Sequence, residues 1–211
     1  MKRILLLLSA VALSGCIHLL PKAPPPPRTF VMAAGDVAQA NGAPVDAVIN
    51  VADPSGERSI LGNLLVWRTG DEIAYVAGTA WSTRAEDALQ QMLVETLSRQ
   101  QRFRAAARTG EAAGAYEVRW EILEFDVQQN DMQAHFRADV KLVASPGRRV
   151  IAQKMVDAHA PVGDRSSSLA SQGLTAAARD ASMQIAQFAA DAALQDQLTQ
   201  PAQDAPRAQP H

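Results

Sequence analysis

The residues able to do chemistry are few and scattered. The chain has 211 residues, with one cysteine, Cys16, and four histidines. His18 and His211 lie near the two ends, His135 falls on the polar side of an alternating segment, and His159 follows another. No histidine pair has the spacing that sets two imidazoles on one helix face or across one hairpin around a metal. A single cysteine excludes an intrachain disulfide and any multi-cysteine zinc site. Glu121, Glu124, Asp126 and Asp131 gather around one segment. Paired carboxylates are the groups of acid–base catalysis, but these alternate with apolar residues, as on a solvated sheet face. Ser166-Ser167-Ser168 lacks the setting of an activated serine and has no base nearby, and is better suited to capping a helix. Gly110-Glu111-Ala112-Ala113-Gly114 has neither the lysine of a phosphate loop nor the dinucleotide spacing. This inventory argues against an enzyme and implies no cofactor. With 20 Lys+Arg against 22 Asp+Glu, the net charge of −2 argues against a nucleic-acid partner, which needs a basic face to neutralise phosphates.

Cys16 is the exception. Lys2 and Arg3 precede an apolar run, Ile4 to Leu13, that is too short for the roughly 20 residues a bilayer-spanning helix needs. This is the layout of a secretory signal. Its end, Leu13-Ser14-Gly15-Cys16, resembles the bacterial lipobox, which implies cleavage before Cys16, a diacylglycerol on the thiol and an acyl chain such as palmitate on the new amine. One acyl chain anchors only marginally, at about 0.8 kcal/mol per buried CH₂, whereas three hold permanently. Ile17 follows where an aspartate would signal retention, which by resemblance points to the periplasmic face of the outer membrane. Loss of Lys2 and Arg3 with residues 1–15 takes the formal charge from −2 to −4.

The rest of the chain divides by composition. Residues 16–28 contain the Pro24-Pro25-Pro26-Pro27 run, an extended polyproline stalk at about 3.1 Å per residue. Residues 29–196 form one domain of ordinary size. Residues 197–211 are rich in Gln, Pro and Ala without periodicity and read as a disordered tail. Within the domain, Thr29–Met32 and Ala47–Val51 read as short strands. Leu64–Arg68 and Glu72–Val76 flank Gly70 as a hairpin. Residues 83–100 carry Leu89, Leu93 and Leu97 at helical spacing, with a capping box expected from Thr83 and Glu86. Phe103 opens a short connector. Tyr116–Val127, His135–Leu142 and Val150–Val156 alternate as an antiparallel meander, and a change of phase at Leu123 predicts a β-bulge. A second helix runs from Ser166–Ser168 to about Leu194, with Leu174, Ala177, Ala178, Ala181, Ile185, Phe188 and Ala192 inward. The alanine content, 40 residues of 211, suits close helix–sheet contact. The fold class is α+β (mixed α/β): a mainly antiparallel sheet of about six strands covered by two long helices. Trp67, Trp81 and Trp120 are expected in the core or on the sheet. An exposed Trp81, with Arg68, would instead mark a partner surface.

The segment from Leu64-Leu65-Val66-Trp67-Arg68 through Ile73-Ala74-Tyr75 and Trp81 to the Leu89–Leu97 helix resembles the ABC-type transport auxiliary lipoprotein family, which includes the paraquat-inducible protein C-like lipoproteins. The strand Glu121–Phe125, the strand Phe136–Val143 and the C-terminal helix follow in the same order. The resemblance implies an outer-membrane lipoprotein that works with a mammalian-cell-entry (MCE) domain protein and an ABC permease and ATPase. It would serve as a non-catalytic dock, with a homo-oligomer among its expected assemblies, for movement of phospholipids or other hydrophobic substrates between the two membranes. The alternative consistent with the anchor and stalk is a cell-envelope assembly lipoprotein that regulates peptidoglycan synthases.

Overall fold

The computed structural model describes residues 26–199. Cys16, most of the proline stalk and the tail from Gln200 onward lie outside the described residues. The elements are β1 (Arg28–Phe30), β2 (Val45–Val51), β3 (Ser55–Gly56), α1 (Arg58–Leu61), β4 (Val66–Thr69), β5 (Glu72–Tyr75), β6 (Thr79–Trp81), α2 (Ala85–Gln100), β7 (Phe103–Arg108), β8 (Tyr116–Gln128), β9 (Gln133–Ala144), β10 (Arg149–Pro161) and α3 (Ser167–Thr199).

The sheet is organised by β8. One edge of β8 pairs antiparallel with β9 along its length, and β9 pairs antiparallel with β10. The other edge takes three short strands in succession, all parallel to it. Ile49 to Val51 of β2 lie beside Tyr116 to Val118, Ser55 and Gly56 of β3 beside Glu121 and Ile122, and Trp67 and Arg68 of β4 beside Val127 and Gln128. β7 adds to the far side of β2, parallel, and β5 folds back antiparallel on β4. β1 and β6 form a separate parallel pair.

The α+β class therefore holds, but the expected mainly antiparallel sheet is corrected to a mixed one. The large sheet has eight strands rather than about six. The longest ladders are the antiparallel meander that the alternation shows, and the short parallel strands depend on contacts between residues some 60 positions apart. The Phe103 connector is in fact β7. Its Arg-Ala-Ala-Ala-Arg core has little β propensity, and tertiary pairing with β2 overrides it. α1 is a single turn with no periodic signature.

Alternation fixes which face is covered. On β8, Val118, Trp120, Ile122, Phe125 and Val127 are buried against the helices. The register shifts between Ile122 and Glu124, so Leu123 is the bulge, and the phase change in the sequence has this as its cause. α2 buries Leu89, Met92, Leu93 and Leu97. The expected Thr83–Glu86 capping box is absent: Arg84 is the N-cap residue and makes no side-chain cap. At α3, by contrast, Ser166 Oγ accepts the Leu169 N–H at 3.3 Å. α3 continues through Thr199, past the expected end near Leu194. Its inner face carries Ala177, Ala178, Ala181, Ala186, Ala189, Ala190 and Ala193, each fully buried. Small side chains let the helix backbone lie close to the strands, and Gly173 marks the tightest approach. A Cβ there would sit 2.6 Å from Val162 Cγ2 and 3.3 Å from Ala134 Cβ.

Candidate functional site

The helices take one face of the meander and leave the other open. That face carries the charged half of each alternating strand, and its far end gathers the groups that sequence inspection left scattered. Arg68 on β4 reaches over β8 and donates from Nε to Asp126 Oδ2 at 2.9 Å. Asp126 is fully buried, and its Oδ1 has no hydrogen-bond partner. Burial pushes its carboxyl above the usual value, against the opposing pull of the Arg68 hydrogen bond and charge.

Across the β8–β9 ladder His135 stands opposite Asp126, and across the β9–β10 ladder His159 stands opposite His135. The two imidazole rings meet edge to face with centroids 4.3 Å apart. His135 Nε2 lies 2.9 Å from Asp131 Oδ2, and Nδ1 lies 3.8 Å from Glu124 Oε2. One register step away, Arg137 bridges Glu124 at 3.2 Å and Asp157 at 2.7 Å, and these two carboxylates hold its guanidinium above the usual range. Further along the same face, Arg119 pairs with Glu117, and Lys141 with Asp139 at 3.2 Å. A shallow depression of about 400 Å³ opens there between Asp53, Ser55, Arg119, Glu121, Asp139 and Lys141.

This arrangement binds charge to charge across adjacent strands. Glu121 and Asp139 stand opposite each other across the β8–β9 ladder at this depression, and Asp139 is bonded to Lys141 and Gln153. Asp126, whose carboxyl burial raises, is sealed beneath Arg68. Among the described residues no group of three or more His, Cys, Asp or Glu is placed to hold a metal ion.

The candidate partner residues part company. Trp81 is only 3% exposed and stacks on Phe125 with ring centroids 6.2 Å apart, so it presents no surface. Phe125 in turn meets Phe136 edge to face. Trp81 and Arg68 thus grip the end of β8 from opposite faces, one through Phe125 and the other through its neighbour Asp126. Trp120 is also buried, its indole N–H donating to Ala52 O at 2.9 Å, whereas Trp67 is half-buried. Lipidation of Cys16 lies outside the described residues. Sequence inspection missed Arg102, whose buried guanidinium donates to the carbonyls of Ala43 and Asn41 and to Asp191. No periodicity marks it. Only the proximity of Gly42, whose added Cβ would come within 2.8 Å of the guanidinium, betrays the close packing.

Residues 30–191 match the family model described as ABC-type transport auxiliary lipoprotein component. The chain belongs to this family. A comparison with curated proteins finds no match for this family member. Among solved structures, the chain is similar to protein XCC0632 from Xanthomonas campestris, with 19% identity and a TM-score of 0.76 over 81% of this chain and 99% of that one. It is also similar to an uncharacterized protein, at 12% identity and a TM-score of 0.63 over 77% and 98% of the two chains. A third likeness is to the hypothetical protein CT253 from Chlamydia trachomatis, at 11% identity and a TM-score of 0.50 over 70% and 98%. These likenesses establish a shared fold.

Proposed function

We propose that this auxiliary lipoprotein is the lipid-anchored, non-catalytic docking subunit of an ABC transport system. It sits on the periplasmic face of the outer membrane and receives an MCE-domain protein coupled to an inner-membrane permease and ATPase. The cargo is phospholipid or another hydrophobic molecule passing between the membranes. The observation that carries this reading is the family match over residues 30–191, placed directly after a lipobox and a proline stalk. The order is that of a tethered receiver: acyl anchor, stiff spacer, folded domain. The open face of the meander supports the non-catalytic part of the reading, because Asp126, Glu124, Asp157 and Asp139 are each engaged by Arg68, Arg137 or Lys141.

Crosslinking in intact cells tests the assignment. An MCE-domain protein is expected among the captured partners. Clean recovery of peptidoglycan synthases alone would replace this reading with the cell-wall regulator.

A further inference from the structure

The open face of the meander changes its charge rule part-way along β8. Near the His135–His159 pair the register sets acid against base, with Glu124 opposite Arg137 and Arg137 opposite Asp157. At the next two outward pairs it sets like against like: Glu121 stands opposite Asp139, and Arg119 stands opposite Lys141. Residues directly opposite in an antiparallel pair have Cβ atoms about 4.5–5.5 Å apart, where like charges are destabilising. Exchanging Arg119 with Glu121 would set every one of these charges against its opposite. Local rules broken in this way are expected at functional sites.

Relief within the face is partial. Arg119 Nε donates to Glu117, Lys141 Nζ lies 3.2 Å from Asp139, and Asp139 accepts from Gln153 Nε2 at 2.7 and 2.9 Å. Glu121 is exposed and, among the described residues, has neither a hydrogen bond nor an ion pair. The same is true of Asp53. β3 brings Ser55 beside Glu121, and both line the depression of about 400 Å³ together with Asp53, Arg119, Asp139 and Lys141.

We infer that this depression binds a compact zwitterion, an ammonium joined to a phosphate by a two-carbon linker. The cation pair, Arg119 and Lys141, takes the phosphate oxygens. Glu121 and Asp53 take the ammonium, whose three N–H groups can be shared between two carboxylates. The cation pair and the acid pair are two residues apart on each strand, about 6.8 Å at roughly 3.4 Å per residue, a span suited to an ethanolamine linker with a hydrogen bond at each end. An anion alone would leave Glu121 and Asp53 unpaired, and a cation alone would leave Arg119 and Lys141 opposed. The headgroup of phosphatidylethanolamine and soluble glycerophosphoethanolamine share this chemistry. The site rests on the strand register and not on the docking role, so failure to capture an MCE-domain protein would leave it standing.

Calorimetric titration of the full-length chain in detergent with glycerophosphoethanolamine tests the site, and saturable binding is expected. Inorganic phosphate should bind about tenfold more weakly, as should glycerophosphocholine, whose quaternary nitrogen has no N–H to donate; this is the loss of one hydrogen bond to a charged group. Glu121→Gln and Arg119→Gln should each weaken glycerophosphoethanolamine by about the same factor. Each also removes a like-charge opposition, so each variant should melt at or above the parent temperature, a combination that a merely structural role would not give. Lys154→Gln on β10 should bind as the parent does. Mixed micelles then identify the source. Competition by phosphatidylethanolamine but not by phosphatidylcholine assigns the lipid headgroup, and no competition by either assigns the soluble zwitterion. The inference is overturned if glycerophosphoethanolamine does not bind, if inorganic phosphate or glycerophosphocholine binds as tightly, or if both Glu121→Gln and Arg119→Gln keep the parent affinity.

Discussion

At the residue scale the informative pair is Arg68 and Asp126. The carboxylate is fully buried and the arginine partly exposed, so removing the cation strands a buried charge. Arg68→Ala should cost about 2 kcal/mol, below the 3–5 kcal/mol typical of a fully buried pair, and denaturant unfolding at neutral pH measures it. The raised pKa of Asp126 gives a second prediction with a definite sign. The native state holds this proton more tightly than the unfolded chain does. Stability from this group is therefore intact below the ordinary carboxylate value of 3.8 and declines as pH rises through the higher native one. Asp126→Asn keeps an acceptor for Arg68 and has no charge to bury. Its stability relative to the parent should improve steadily from pH 3 towards neutrality, and a flat difference across that range would refute the assignment. Tyr116 behaves alike at the other end of the scale. Burial and the neighbouring Asp196 carboxylate push its phenol up to about 12, so its stabilising effect fades as pH rises from 10 towards 12. Ultraviolet titration should show no Tyr116 phenolate until that upper value is approached. The sequence showed these charges and their alternation but not their partners. Arg68 and Asp126 are 58 positions apart, and no local pattern carries such a pairing.

At the element scale, what could be read and what could not follow from where each signal resides. The meander was legible down to the Leu123 bulge because alternation is local and each strand buries one face. The helix through Leu89, Leu93 and Leu97 was legible for the same reason. β3, β7 and the parallel placement of β2 and β4 were not, because partners distant in the chain hold them. The Thr83–Glu86 spacing misled, since spacing alone does not set the backbone geometry of a cap. α3 offers the sharpest test of packing. Gly→Ala inside a helix ordinarily gains about 1 kcal/mol. At Gly173 the new methyl meets Val162 and Ala134, and overpacking costs roughly 1–3 kcal/mol. Gly173→Ala should thus lower stability by about 1 kcal/mol, seen as a drop of roughly 2–4 °C in Tm for a domain of this size. A rise in Tm would show that the helix can back away from the sheet.

At the scale of the whole molecule, the proposed anchor and the folded domain are separable. Cys16 precedes the described residues 26–199 in the chain. Cys16→Ser should abolish incorporation of labelled palmitate and move the protein from the membrane to the soluble fraction, while leaving the domain's thermal melt unchanged. Retention at the membrane without the label would point to a different anchor. Among the described residues no helix is long and apolar enough to cross a membrane. Attachment through the acyl groups, with the proline run as spacer, would leave the domain free to reorient above the bilayer while keeping it within a fixed radius of Cys16.

The edge of β8 that receives β2, β3 and β4 in turn also dictates an order of assembly. Those strands come first in the chain, yet the strand they pair with begins only at Tyr116. In the leading half β2 can pair with β7 and β4 with β5, but the edges of β2, β3 and β4 that join the meander stay open until β8 is in place. Closing those long loops costs entropy before any contact offsets it, which slows folding. β8, β9 and β10 are neighbours in sequence and can zip by hairpins into a template. The trailing half thus nucleates and the leading half docks, so a fragment ending before Tyr116 lacks the strand that joins its β2–β7 and β4–β5 pairs into one sheet.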